Sequence, residues 1–188
     1  MSTARCVHHS YEEYLRVLDV SDIKLEYFDG EIYAMAGGTL AHAELCARII
    51  SRLSHHLGRE CHVFSADARV HVEATGLATY PDASVVCGEV ERAGNDPHAL
   101  VNPTILVEVT SRSTEDYDRG NKISHYRQIP SLTAILLVSH RARRVTLVER
   151  TPDDWRICEA RAGEQLVVES PKLSLSVDTL YEGITLEA

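Results

Sequence analysis

Hydrophobic and polar positions alternate along this chain with two periods. Between Thr39 and Gly58, the side chains of His42, Cys46, Ile49, Ile50, Leu53 and Leu57 recur at the spacing of one helical face, with Arg48, Arg52 and His55 on the other. Thr39 suits the N-cap of that helix and Gly58 its stop. Ser10-x-x-Glu13 is a capping-box pattern that predicts a short helix to about Val20. Elsewhere the runs are short and strand-like. Lys24–Phe28 and Glu31–Met35 flank Asp29-Gly30, a strong hairpin signal. Cys61–Val72 reads as one strand with a possible bulge, and the run around Asp82 as the next. Cys87–Asn102 is polar and turn-rich and reads as a long hairpin loop. Ile105–Val109 follows, then a helix capped by Ser113 or Thr114 that runs to about Gln128 before Pro130. Thr133–Ser139, the pair Val145–Glu149 and Trp155–Ala160, and a short strand and helical turn in Leu173–Leu180 close the chain. The order α-β-β-α-β-β-β-α-β-β-β predicts an α+β (mixed α/β) fold, a central mixed β-sheet flanked by helices, in a single domain over residues 1–188.

One position breaks the pattern. Glu108 stands inside Ile105–Val109, a run that should be buried. A buried carboxylate is costly unless it is paired, hydrogen-bonded or bound to metal. Asp82, beside Pro81 at the start of another strand-like run, is a second acid. If the two runs pair antiparallel, the midpoint of 82 and 108 is 95, within Gly94-Asn95-Asp96-Pro97, and the acids fall opposite each other. Opposed side chains have Cβ atoms about 4.5–5.5 Å apart, close enough to share one hard cation. Mg²⁺, or Mn²⁺ in its place, fits oxygen donors of this kind, and the Val109 carbonyl is a further candidate ligand.

Alternation places Thr110 on the face of Glu108, so a cation for this site must come from elsewhere. Lys122 on the following helix is the candidate, with Asp118 and Tyr126 one turn away on either side. Each piece also has a plainer reading. A strand glutamate is often salt-bridged, Pro-Asp often a turn, Asp118–Lys122 often a surface pair, and a lone histidine such as His42 often a hydrogen-bonded core residue.

Composition narrows the classes. The 188 residues are 44% hydrophobic and 25% charged, which suits a globular core. No apolar run approaches the ~20 residues of a membrane helix, and Met1–Val7 lacks a signal-peptide core, so a cytoplasmic location is expected. The five cysteines (Cys6, Cys46, Cys61, Cys87, Cys158) are scattered without a C-x-x-C pair and fit reduced thiols. The net charge of -9 excludes a broadly basic surface for nucleic acid. Arg141, Arg143 and Arg144 form the one compact basic cluster, read first as a solvated turn and second as a phosphate contact.

Pro81-Asp82, then Leu106–Thr114, then Asp118–Tyr126 together resemble the Uma-type restriction-endonuclease family, whose pattern runs P-D, V-E-V-x-S-x-S-T and D-x-x-x-K-x-x-x-Y. Leu25–Tyr33 resembles its L-x-x-x-D-G-x-x-Y signature, and His42 matches a histidine at the start of its long helix. The likeness spans about Tyr11 to Leu180. It implies a restriction-endonuclease-like core of the PD-(D/E)XK superfamily and a Mg²⁺-dependent endonuclease acting on DNA. Asp82 and Glu108 would bind the metal, with Lys122 replacing the absent lysine of E-x-K. Glu31 would be the acid from the N-terminal region, with Glu26 a weaker candidate, and His42 would orient Glu31 or contact phosphate. A homodimer would present two sites to a duplex. The competing expectations are a catalytically silent binding or oligomerisation module and a hydrolase acting on RNA or small phosphate esters.

Overall fold

The computed structural model of the protein describes residues 8–35, 37–110 and 121–186. The first helix, α1 (Tyr11–Asp19), opens on the expected capping box, with Ser10 N donating to Glu13 Oε2 at 2.7 Å and Glu13 N to Ser10 Oγ at 3.2 Å. Strands β1 (Leu25–Phe28) and β2 (Glu31–Ala34) form the predicted hairpin. Its two-residue turn needs positive φ at both positions, and Asp29 (48°) and Gly30 (80°) supply it. The long helix α2 (Leu40–Leu57) is capped by Thr39, whose hydroxyl accepts from His42 N, and Gly58 ends it at φ 66°. Leu45, Ile49 and Leu53 are its buried stripe.

The remaining strands are β3 (Cys61–Ser65), β4 (Arg69–Val72), β5 (Leu77–Thr79), β6 (Ala83–Cys87), β7 (Arg92–Ala93), β8 (Asp96–Leu100) and β9 (Ile105–Val109). After α3 (Ile123–Tyr126) come β10 (Ala134–Val138), β11 (Arg144–Arg150), β12 (Trp155–Arg161), β13 (Gln165–Val168), β14 (Leu173–Ser176) and α4 (Val177–Tyr181). Two six-stranded sheets result. One has the order β2-β1-β5-β4-β8-β7, the other β12-β11-β10-β9-β6-β3, and β13-β14 stand as a hairpin. The second sheet is mixed, with β9 parallel to β10 and antiparallel to β6.

Alternation along the second sheet sorts the core. Ile105, Val107 and Val109 of β9, with Ala134, Leu136 and Val138 of β10, pack under Leu45, Ile49 and Leu53 of α2. Leu106, Ile135 and Leu137 point the other way, against Ile123, Tyr126 and the inner face of the first sheet. Helix α1 covers the outer face of that sheet through Tyr14, Leu25 and Ala78. Among the described residues, no helix is long and apolar enough to cross a membrane.

Three expectations need correction. The stretch from Cys61 to Val72 is two strands in different sheets, broken by a turn at Ala66–Ala68. The polar stretch after Cys87 is not a plain hairpin loop. It forms β7 and β8 through the ladders of β8 with β4 and β7, where buried Asp96 takes a two-pronged bond from Arg69 of β4, at 2.6 and 2.7 Å, and polar composition alone conceals such a pair. The cysteines are not all thiols either. Cys61 and Cys87 face each other across β3 and β6, with Cα atoms 4.0 Å apart, and form a disulfide, while Cys46 and Cys158 are free. Cys6 and the proposed caps Ser113 and Thr114 lie outside the described residues.

Candidate active site

Strand register decides where the two central acids stand. Ala83 pairs with Val107 and Ser84 with Leu106, so continuing the ladder by one step sets Asp82 level with Glu108. The arithmetic expected from the sequence holds although the connection carries two strands of another sheet. Asp82 lies just before β6, and its Oδ2 accepts the Val109 N–H at 2.7 Å. Extended β9 thus presents a backbone donor to Asp82 and the Glu108 side chain within the same two residues.

Glu108 shares the face of Leu106 and points toward α3. It is 4% exposed and is held there by polar partners. Tyr126 donates its hydroxyl to Glu108 Oε1 at 2.5 Å, and Lys122 Nζ lies 3.6 Å from the same oxygen. Burial, reinforced by the Glu108 charge, holds the Tyr126 phenol well above its ordinary value, so it remains a donor. Lys122 and Tyr126 are four residues apart and reach the strand from one face. Lys122 sits in a π-type turn with Asn121 that leads into α3. Such turns widen the helical ladder and recur at functional sites.

The acid of the N-terminal region that reaches Lys122 is Glu26. Its Oε1 is 3.1 Å from Lys122 Nζ and accepts from the Thr79 hydroxyl. The reason is strand order. On β1, Leu25 and Tyr27 pack toward α1, so Glu26 and Phe28 face inward, and β1 is an interior strand beside β5. Glu31 stands on edge strand β2, exposed, and its recorded bond is to the Tyr33 hydroxyl. Of the two acids weighed in the sequence, Glu26 and not Glu31 stands against Lys122. Thr79 was missed altogether. Both residues become visible only when the two sheets are stacked.

His42 occupies the first turn of α2, on the opposite side of Asp82. Its Nε2 is 3.4 Å from Asp82 Oδ2, so it faces Asp82 and not Glu31. Cys46, one turn on, places Sγ 3.5 Å from His42 Nδ1. The ring stands against Gly38, where any Cβ would come within 2.5 Å of Nδ1. Burial, then the charges of Asp82 and Glu108, push the Cys46 thiol up, so both carboxylates act on one point. Thr110 is fully buried and its hydroxyl lies 3.3 Å from His140 Nδ1. Lys122 is a cation beside Glu108. Asp118 lies outside the described residues.

The donor chemistry fits a hard divalent ion. Two carboxylates come level at one end of a sheet, and the backbone carbonyl of Val109 follows Glu108 directly in sequence. The exposed arginines Arg141 and Arg143 follow β10, which runs parallel to β9 with Val138 opposite Val109, so their turn lies at the same end of the sheet.

Residues 11–179 match the Uma2 family, described as "Putative restriction endonuclease". Two uncharacterized proteins of Synechocystis sp. are similar over most of the chain. One, slr1290, is 37% identical over 177 residues, covering 93% of this chain and 92% of its own. The other, sll1609, is 30% identical over 159 residues, covering 84% and 89%. The crystal structure of a putative nuclease belonging to DUF820 from Anabaena variabilis superposes with a TM-score of 0.74 at 17% identity, over 93% of this chain and 98% of that one, which establishes a common fold. By the match over residues 11–179, the chain belongs to the Uma2 family, described as "Putative restriction endonuclease".

Proposed function

We propose that the chain is a single nuclease-like domain that hydrolyses DNA phosphodiester bonds with Mg²⁺, or Mn²⁺ in its place. The observation that carries this reading is the convergence of Asp82 and Glu108 at one sheet end, with Lys122 Nζ 3.6 Å from Glu108. Asp82, Glu108 and the Val109 carbonyl are the residues that would hold the ion. Such an ion supplies Lewis acidity toward the scissile phosphate and lowers the pKa of a bound water.

The chain's own groups do the rest. Lys122 stabilises charge developing on phosphoryl oxygens, and its position between Glu108 and Glu26 fixes its ammonium before substrate arrives. Tyr126 holds Glu108 Oε1 in place and so orients the carboxylate. The Val109 N–H and His42 orient the Asp82 carboxylate. Arg141 and Arg143 are placed to meet phosphates flanking the cut, a local basic contact on a chain of net charge -9. A homodimer presenting two such sites would match two-fold protein symmetry to a duplex.

The test is cleavage of supercoiled plasmid with Mg²⁺ or Mn²⁺ by the wild type and by Asp82→Ala and Glu108→Ala. Loss of cleavage in both variants, with folding retained, supports the assignment. Equal activity in all three proteins removes it. RNA and small phosphodiesters, assayed in parallel, define the substrate class.

A further inference from the structure

Cys46 has no part in the chemistry above, yet it lies beside it. Among the described residues, His42, Cys46 and Asp82 are the group of histidine, cysteine and acidic side chains whose ligand atoms all lie within 4.8 Å of one another. We propose that these three residues form a site for a borderline-soft divalent cation, Zn²⁺ foremost, that shares Asp82 with the oxygen-donor site.

Geometry and donor type both point this way. His42 and Cys46 are four residues apart on α2, so they project from one face in successive turns. Ligand atoms around a tetrahedral zinc ion at roughly 2.0–2.3 Å stand about 3.3–3.7 Å apart. His42 Nε2 is 3.4 Å from Asp82 Oδ2 and 4.0 Å from Cys46 Sγ, so only small rotations bring the donors onto one ion. One sulfur, one imidazole nitrogen and one carboxylate oxygen suit zinc, whereas a thiolate is a poor ligand for Mg²⁺. Cys46 binds as the thiolate, its proton passing to solvent. Three protein ligands leave the fourth position of the tetrahedron for water.

The surroundings support the ligands. Gly38 makes room for the His42 ring, because a Cβ there would stand 2.5 Å from Nδ1. The Val109 N–H fixes the Asp82 carboxylate at 2.7 Å. Partners of this kind orient metal ligands and tune their affinity. Because Asp82 is common to both sites, Zn²⁺ bound there alters binding of the hard cation. That consequence rests on the nuclease reading, whereas the site itself does not.

The experiment is titration of the metal-free protein with Co²⁺ and Zn²⁺. Co²⁺ is followed by its thiolate charge-transfer absorption and Zn²⁺ by competition with a chromophoric chelator. The expected result is one ion per chain, with the charge-transfer band abolished by Cys46→Ala and Zn²⁺ affinity lowered at least about tenfold. Gly38→Ala, which displaces the ring without removing a ligand, also weakens Zn²⁺ binding while far-UV dichroism and thermal unfolding match the wild type. Failure of the folded wild type to bind either ion, or Zn²⁺ binding by Cys46→Ala equal to wild type, overturns the proposal. A chain that binds Zn²⁺ through Cys46 but cleaves nothing with Mg²⁺ supports this site and removes only the nuclease reading.

Discussion

Lys122 Nζ lies 3.1 Å from Glu26 Oε1, joining a helix that follows β9 to a strand of the other sheet. If the proposed nuclease site is right, this contact makes Glu26, not Glu31, its N-terminal acid. Glu26→Gln is expected to lower metal-dependent cleavage roughly 10–100-fold, the usual cost of losing a group that positions a metal-site residue. Glu31→Gln, on an exposed edge strand, is expected to match wild type. Plasmid-cleavage rates of the two variants side by side check the assignment, and the reverse order of effects contradicts it.

Removing the ammonium itself has a larger effect. Lys122→Met leaves Glu108 and Glu26 without this counter-charge in a site where Lys122 is 5% exposed. Cleavage is expected to fall about 10²–10³-fold, as when one preorganised charge-stabilising group is lost. Lys122→Arg keeps the charge and should restore part of the rate. Single-turnover rates, with thermal unfolding of each protein as control, separate chemistry from folding. A wild-type rate in the Met variant identifies Lys122 as structural.

The Tyr126 hydroxyl can be tested without disturbing packing. Tyr126→Phe keeps the buried ring and deletes only the 2.5 Å bond to Glu108. Loss of a bond to a charged, buried acceptor costs about 1–3 kcal/mol of stability. Affinity for Mg²⁺ or Mn²⁺ should weaken roughly 10-fold or more. Urea unfolding and metal titration by calorimetry report the two effects separately.

Acid stability depends on a pair away from the site. Burial raises the Asp96 carboxyl, but bonds from Arg69 and Tyr11 outweigh it and hold the group below its ordinary value. The folded state therefore binds fewer protons than the unfolded chain in this range. The stabilisation is complete above the unfolded value near ~4 and is lost as pH falls through the folded value. Asp96→Asn leaves Arg69 buried without its charge partner and should cost about 3–5 kcal/mol near neutrality. It should also flatten the decline between about pH 5 and pH 3. Urea midpoints across that range provide the check.

Substrate approach is testable through salt. Arg143 is exposed in the turn after β10, at the sheet end that carries the site. If it meets a phosphate, Arg143→Ser weakens DNA binding uniformly across sequences and reduces the slope of log affinity against log salt by about 1. Fluorescence anisotropy at several salt concentrations, in Ca²⁺ to suppress cleavage, measures both. An unchanged slope assigns Arg143 to the solvated turn alone.

Local chemistry determined much of this protein from its sequence. Asp29-Gly30 dictates the hairpin because its turn needs positive φ twice, and Thr39 and Gly58 bound α2 because a helix end must satisfy its backbone. An acid within Ile105–Val109 demanded a partner, and counting outward from the expected turn at residue 95 put Asp82 level with it. Lys122 and Tyr126 were legible as one helical face. The tertiary structure decided what no local period encodes. Only the stacking of two sheets brings Glu26 and Thr79 to Lys122, and leaves Glu31 on an edge. Only the β3–β6 ladder turns Cys61 and Cys87 into partners, and only the ladders of β8 with β4 and β7 make strands of a polar stretch. Likewise, His42 and Cys46 appear in sequence as part of a core stripe. The approach of α2 to the end of β6 is what aims them at Asp82, because a side chain's partner across space is set by the packing of elements and not by its neighbours along the chain.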